Sequence, residues 1–362
     1  MKDRIRIKDI AVKAGVSTGT VDRVIHNRGN VSPETRKKVQ EVMEELGYEP
    51  NLMASTLAYN RQFHVAVLLP DYRLDPYWEQ PRRGIEKAQQ ATRHYGLVVD
   101  RYYFDPMKVD GFTEAAASIW EDEPTPNAVL FAPLFLKEAQ SLLEECRNRG
   151  VPNVMINTNV ENSDSLCYIG QDSLQSGVLA ARLLNFGVNR GDTVLMLNLD
   201  KSITNAKHLI DKERGFRKYW DETKDRDIQI VKRDFEAFNE PGKLALFLED
   251  LLRQYPRLSG IFVSNSRAYK VVESLPESAL GQIKIVGYDL IDANVRYLRE
   301  NKIDFIINQN PVKQGYLGLM NIANHLILKK EVAPLQYLPL DIVVQENLDY
   351  YVEKELIFEI VI

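Results

Sequence analysis

A pocket that binds hydroxyl groups needs side chains that both donate and accept hydrogen bonds, set beside aromatic faces that cover a ring. The sequence puts such side chains just past one apolar run after another. Asp75-Pro76-Tyr77-Trp78 follows HVAVLLP, Asn157 ends VPNVMIN, Asn265 ends GIFVSN, Asp289 ends IVGYD and Gln309 ends DFIINQ. Singly, each has an ordinary explanation: an Asp after a strand commonly caps a helix, and Tyr77 and Trp78 suit a core equally well. As a set they point to a polar ligand held at the ends of several strands. Nothing comparable points to catalysis. There is no GxGxxG after the first strand, no phosphate loop ending in Gly-Lys-Ser/Thr and no GxSxG. The five histidines, His26, His64, His94, His208 and His325, are scattered without metal spacing. An α/β enzyme working with cleft carboxylates alone is the remote alternative.

A second constellation lies near the N-terminus, in IKDIAVKAGVSTGTVDRV. Ile10, Ala11, Ala14, Val16, Val21 and Val24 recur at helical spacing on both sides of a break at Gly15. Gly15 suits the left-handed backbone that ends a first helix, and Ser17 is an N-cap for the second. This is a helix-turn-helix pattern, and it leaves Thr18, Gly19, Asp22 and Arg23 pointing outward, on the face that enters a DNA major groove. Arg23 is the side chain best suited to guanine, whereas Gly19 has nothing to read with. A third helix follows Ser32-Pro33, with Val39, Val42, Met43 and Leu46 as its apolar stripe.

The elements that must position the first set begin at Phe63. Short apolar runs at 64–70, 97–103, 127–133, 153–157, 193–199, 228–233, 260–263 and 283–288 read as strands, with helix-length amphipathic segments such as 78–95 between them. Strict alternation predicts an α/β body with parallel sheets covered by helices on both faces. So many strands predict two lobes, and ligands in such sheets bind outside the carboxyl ends of the strands. A cleft between two lobes is then the natural binding site.

Length and composition agree with this division. The 362 residues, 44% hydrophobic and 27% charged, suit a soluble protein of two or three domains. Residues 1–62 hold 11 Lys+Arg against 8 Asp+Glu, a surplus of +3, so the total of −5 leaves −8 on the remainder. A mildly basic head on an acidic body fits nucleic-acid binding by the head. No run suits a secretion signal or a membrane span, which predicts a cytoplasmic protein without membrane association. Cys146 and Cys167 read as small buried thiols.

The N-terminal motifs carry a specific resemblance. GVSxxTVxRV, then VSxxTRxxV, then ELGYxPNxxAxxL is the pattern of the lactose repressor (LacI) family. It covers roughly the first sixty residues densely, and the remainder is similar to that family's type I periplasmic sugar-binding-protein core. The resemblance implies an effector-controlled transcriptional regulator, a repressor, binding a palindromic double-stranded DNA operator as a homodimer and using no cofactor. It implies a helix-turn-helix over 1–50, a hinge helix and linker over 51–62, a first sensor lobe from 63–165 and 309–337, and a second from 166–308 and 338–362. The chain would cross between lobes near Ser165, Gln309 and Leu338.

Carried over position by position, the resemblance implies DNA contacts from Ser17, Thr18, Thr20 and Arg23, with His26 and Asn30 as secondary candidates. Asn51, Ala54 and Leu57 fall in the hinge, where Leu57 matches the wedge that opens a minor-groove base step. In the sensor it implies effector contacts from Asp75, Tyr77, Trp78, Asn157, Asn265, Asp289 and Gln309. Phe235 holds the place of a stacking aromatic, and Lys212 stands where the family commonly has an arginine. Lysine keeps that charge but loses the bidentate fork, and Asn157-Thr158 replaces the Asp-Arg pair of ribose binders. The expected effector is therefore a small polar, carbohydrate-like molecule, with a nucleobase or sugar phosphate as the alternative. The apolar ending LIFEIVI has no assigned role beyond an edge strand or an oligomer contact.

Overall fold

The computed structural model describes residues 5–25, 29, 31–46, 48, 62–199, 207–223 and 227–352. The chain divides into two compact units, Met1–Arg61 and Gln62–Ile362. The expected hinge helix, with Asn51, Ala54 and Leu57, lies outside the described residues, as do His26, Asn30 and the apolar ending.

Among its described residues the first unit contains three helices, α1 (Ile7–Ala14), α2 (Thr18–Ile25) and α3 (Pro33–Leu46). Ile10 and Ala14 of α1, Val21 and Val24 of α2, and Val39 and Val42 of α3 form one small core. Spacings of three and four residues put each pair on one helical face, which is why three short helices can share it. Lys13 and Glu45 pair at 2.6 Å between α1 and α3, but both are solvent-facing and the pair contributes little.

The described residues of the second unit form twelve strands: β1 (Phe63–Pro70), β2 (Leu97–Phe104), β3 (Ala128–Phe131), β4 (Asn153–Asn157), β5 (Cys167–Gly170), β6 (Thr193–Asn198), β7 (Gln229–Asp234), β8 (Leu258–Val263), β9 (Lys284–Tyr288), β10 (Phe305–Asn308), β11 (Leu335–Tyr337) and β12 (Asp341–Val343). They form two six-stranded sheets, ordered β2-β1-β3-β4-β5-β11 and β7-β6-β8-β9-β10-β12. The two orders are the same arrangement used twice. Strands β3, β4, β5 and β6 are buried throughout, as expected for parallel strands with helices on both faces.

The first passage between sheets comes after Gly170, later than the expected Ser165, because β5 pairs with β4 and with β11. After Asn308 the chain returns along helix Pro311–Leu326, which packs Leu319 and Ile322 into the first lobe's core. It crosses a third time between Tyr337 and Asp341. That last passage departs from the all-parallel expectation: β12 runs antiparallel to β10. The chain enters the second sheet from the cleft side, where the parallel strands end, with no helix to carry it round to their beginnings.

Each lobe also joins two helices through paired glycines. In the first, a Cβ on Gly84 would lie 2.0 Å from the Val312 carbonyl oxygen, and one on Gly315 would lie 2.1 Å from that of Pro81. In the second, a Cβ on Gly177 would lie 2.0 Å from the Lys212 carbonyl oxygen, and one on Gly215 would lie 1.9 Å from that of Leu174. Only glycine allows backbones this close. Cys146 and Cys167 are buried free thiols. Among the described residues no helix is long and apolar enough to cross a membrane.

Candidate functional site

In the first unit, Gly15 ends α1 with φ of 63°. The Ser17 Oγ accepts from the Thr20 amide at 3.1 Å and lies 2.9 Å from the Thr20 Oγ1, so both hydroxyls help to start α2. Ser32 does the same for α3, accepting from the Thr35 amide at 3.2 Å. With Val21 and Val24 fixed in the core, Thr18, Gly19 and Arg23 are turned out to solvent while Thr20 and Asp22 are half-buried. A helix end presenting hydroxyls and one guanidinium is suited to phosphates and a base edge.

In the second unit the two sheets offer their carboxyl ends to one cleft. Asp75, Tyr77, Trp78 and Asn157 reach it from the first lobe, Lys212, Asn265 and Asp289 from the second, and Gln309 from the passage between them. Eight of the nine expected effector residues therefore meet in one place. Phe235 does not. Its amide continues β7 by donating to the Asn198 carbonyl at 2.9 Å, and its ring stacks on Phe247, 4.5 Å between centroids, within the second lobe's own core.

Gln309 is the centre of the polar network. Its Nε2 donates to Asp289 Oδ2 at 2.7 Å, and its Oε1 accepts from Gln171. Asn157 donates from Nδ2 to the Tyr77 hydroxyl at 2.7 Å, and Asn265 donates to the Leu199 carbonyl at 3.0 Å. The Asn294 amide binds the Ser266, Tyr288 and Asp289 carbonyls and so fixes two cleft loops together. Asp289 and Asn157 both have left-handed backbones, φ 66° and 70°, which Asp and Asn tolerate better than most residues. The chain turns away there while the side chain stays at the strand end.

Lys212, in helix Lys207–Glu222, donates to the Ser264 carbonyl at 2.9 Å and lies 3.6 Å from the Tyr288 ring centroid. Burial holds its ammonium pKa well below the usual lysine range, and burial raises that of the Asp289 carboxyl, each opposing the other's shift. Among the described residues Asp289 Oδ1 is buried with no protein partner. An orphaned acceptor in a cleft is costly to leave unpaired and calls for a donor from a bound molecule.

Several cleft residues had no sequence signal. Arg267, four residues beyond β8, pairs with Asp75 across the cleft at 2.7 Å and donates to the Leu199 carbonyl at 2.9 Å. His208 faces Thr158 at 3.3 Å between Nδ1 and Oγ1, and burial followed by the Lys212 charge lowers its pKa to about 3. Met107 and Leu134 supply apolar wall from other loops. Only the run SNSR directly after a strand could have pointed to Arg267.

Residues 65–331 match the periplasmic binding protein domain, and residues 6–51 match the lacI family of bacterial regulatory proteins. The chain belongs to the LacI family. Catabolite control protein A of Priestia megaterium is 26% identical over 303 residues, 79% of this chain and 82% of that one. A LacI-type regulator from Bacteroides fragilis has a TM-score of 0.74 at 28% identity, over 80% of this chain and all of that one. An Agrobacterium vitis solute-binding protein, solved with α-D-tagatopyranose, shares the sensor fold at TM-score 0.68 and 20% identity, over 79% of this chain and 96% of that one. This LacI-family chain is thus a DNA-binding transcriptional regulator with a sensor body of the sugar-binding-protein fold.

Proposed function

We propose that this regulator represses transcription under control of a small polar effector, a sugar, bound between its lobes. The observation that carries this reading is the buried Asp289 Oδ1, without a partner among the described residues, in a cleft that also holds Asn157, Lys212 and Gln309. A neutral polyol offers the donors and acceptors these groups need, and Tyr77, Trp78 and Met107 offer apolar surface to its C–H faces. The Agrobacterium vitis protein of the same fold holds a monosaccharide.

On DNA, Thr18 and Arg23 read base edges while Ser17 and Thr20 sit near phosphate. One small head makes too few contacts for tight specific binding, so the working form is a homodimer on a palindromic operator in the cytoplasm. Effector binding shifts operator affinity by as much as its affinities for the two conformations differ.

The test is a thermal-shift screen of the full chain against monosaccharides, disaccharides and their acidic and phosphorylated forms, followed by fluorescence anisotropy of operator DNA with any sugar that stabilises it. A stabilising sugar that also changes operator affinity is the expected result; no stabilisation by any sugar overturns the reading. In the same assay Arg23→Ala loses about 1–3 kcal/mol of discrimination against scrambled DNA and keeps effector affinity. Retained discrimination would remove α2 from the groove.

A further inference from the structure

The cleft does not end at the inner chamber. Against it lies a second cavity of about 340 Å³, bordered by Phe238, Tyr269 and Lys270 of one lobe and Leu74, Asp105 and Lys108 of the other. The inner chamber measures about 80 Å³, and Asp75, Met107, Ser266 and Arg267 form the wall shared by both. Pockets for small molecules typically reach about 300–1,000 Å³, which the inner chamber falls short of and the two together satisfy.

The charges of the outer chamber are unequal after pairing. Arg267 pairs with Asp75 at 2.7 Å and Lys108 with Asp105 at 3.5 Å. Lys270 has no carboxylate in direct contact among the described residues: its Nζ lies 5.4 Å from the Tyr269 ring centroid and 5.8 Å from that of Phe238, and Glu273, three residues on, acts on it only through its charge. It is half-buried, and burial lowers its pKa. A partly desolvated ammonium with no carboxylate in direct contact can still donate a charge-assisted hydrogen bond to a ligand.

We propose that the effector has two units: a polyol ring in the inner chamber, joined to a second unit whose carboxylate or phosphate pairs with Lys270 in the outer one. This deepens the sugar reading of the cleft and rests on it. Two sources supply the anion, a uronic acid and a sugar phosphate, and they share the same recognition.

The experiment is isothermal titration of the full chain with matched sets in the gluco, galacto and manno series: the monosaccharide, the neutral disaccharide, and that disaccharide as its terminal uronate and as its 6-phosphate. The expected result is that one acidic form binds at least ten-fold tighter than its neutral partner. Lys270→Gln should erase the preference and Lys270→Arg should keep it. Preference for the uronate or for the phosphate names the source. Equal binding of acidic and neutral forms, binding of monosaccharides alone, or a preference that survives Lys270→Gln overturns the two-unit effector and leaves the sugar reading standing. Absence of binding by any sugar, neutral or charged, removes the sugar reading itself.

Discussion

At the scale of single residues, the cleft keeps ionisable groups in environments that oppose their charged forms. His208 gives this a measurable consequence. Its pKa of about 3 in the folded chain lies below the ordinary 6.5, so the unfolded chain takes up its proton first as the pH falls. The histidine's contribution to stability is therefore whole above pH 6.5 and lost progressively towards pH 3. Urea melts at pH 7 and pH 4.5 should show His208→Gln recovering up to about 2.5 kcal/mol of the acid loss. An unchanged acid slope would mean that His208 protonates freely in the folded protein. Asp289 and Gln309 were legible in the sequence because each directly follows an apolar run. Arg267 was not, because its place opposite Asp75 depends on a residue 192 positions away.

At the scale of elements, the paired glycines set how closely the helices behind the cleft approach one another. Lys212 sits where helix Lys207–Glu222 meets helix Ser173–Leu184, and its carbonyl lies against Gly177. Gly177→Ala puts a methyl group 2.0 Å from that oxygen, so backbone must move. The expected cost is about 1–3 kcal/mol in chemical denaturation, together with weaker effector binding as Lys212 shifts. Full stability with full affinity would show that the helices separate without penalty. These glycines read in the sequence only as interruptions of helical patterns. Phe235 shows the opposite failure: an aromatic after a strand looked like a ring for stacking, but its strand is the sheet's edge, and the ring found Phe247 instead.

At the scale of the whole sensor, the lobes touch across the cleft. Asp75 and Arg267 pair at 2.7 Å with side chains only 13% and 10% exposed, Gln80 donates to the Leu290 carbonyl at 2.8 Å, and Lys207 meets Glu161 at 3.1 Å. Closure therefore has protein contacts of its own, and an effector adds to them. Asp75→Asn removes the charge while the amide oxygen can still accept from the Tyr77 amide, as Oδ1 does now at 3.1 Å. Small-angle scattering of the effector-free variant should give a larger radius of gyration than the parent. An equal radius would assign closure to the remaining contacts.

The sequence by itself determined what depends on near neighbours along the chain. Helical spacing, Gly15, Ser17 and Ser32-Pro33 specify the three-helix head, and alternating runs specify strands, helices and the polar residue at each strand end. Backbone geometry and capping act within a few positions, so they are written locally. Tertiary structure decided what depends on residues far apart. It placed β5 in the first sheet, turned β12 antiparallel, paired Asp75 with Arg267 and opened an outer chamber walled by both lobes. Those outcomes follow from close packing and from the requirement that buried charge be paired, which operate on distance in space and leave no period in the sequence.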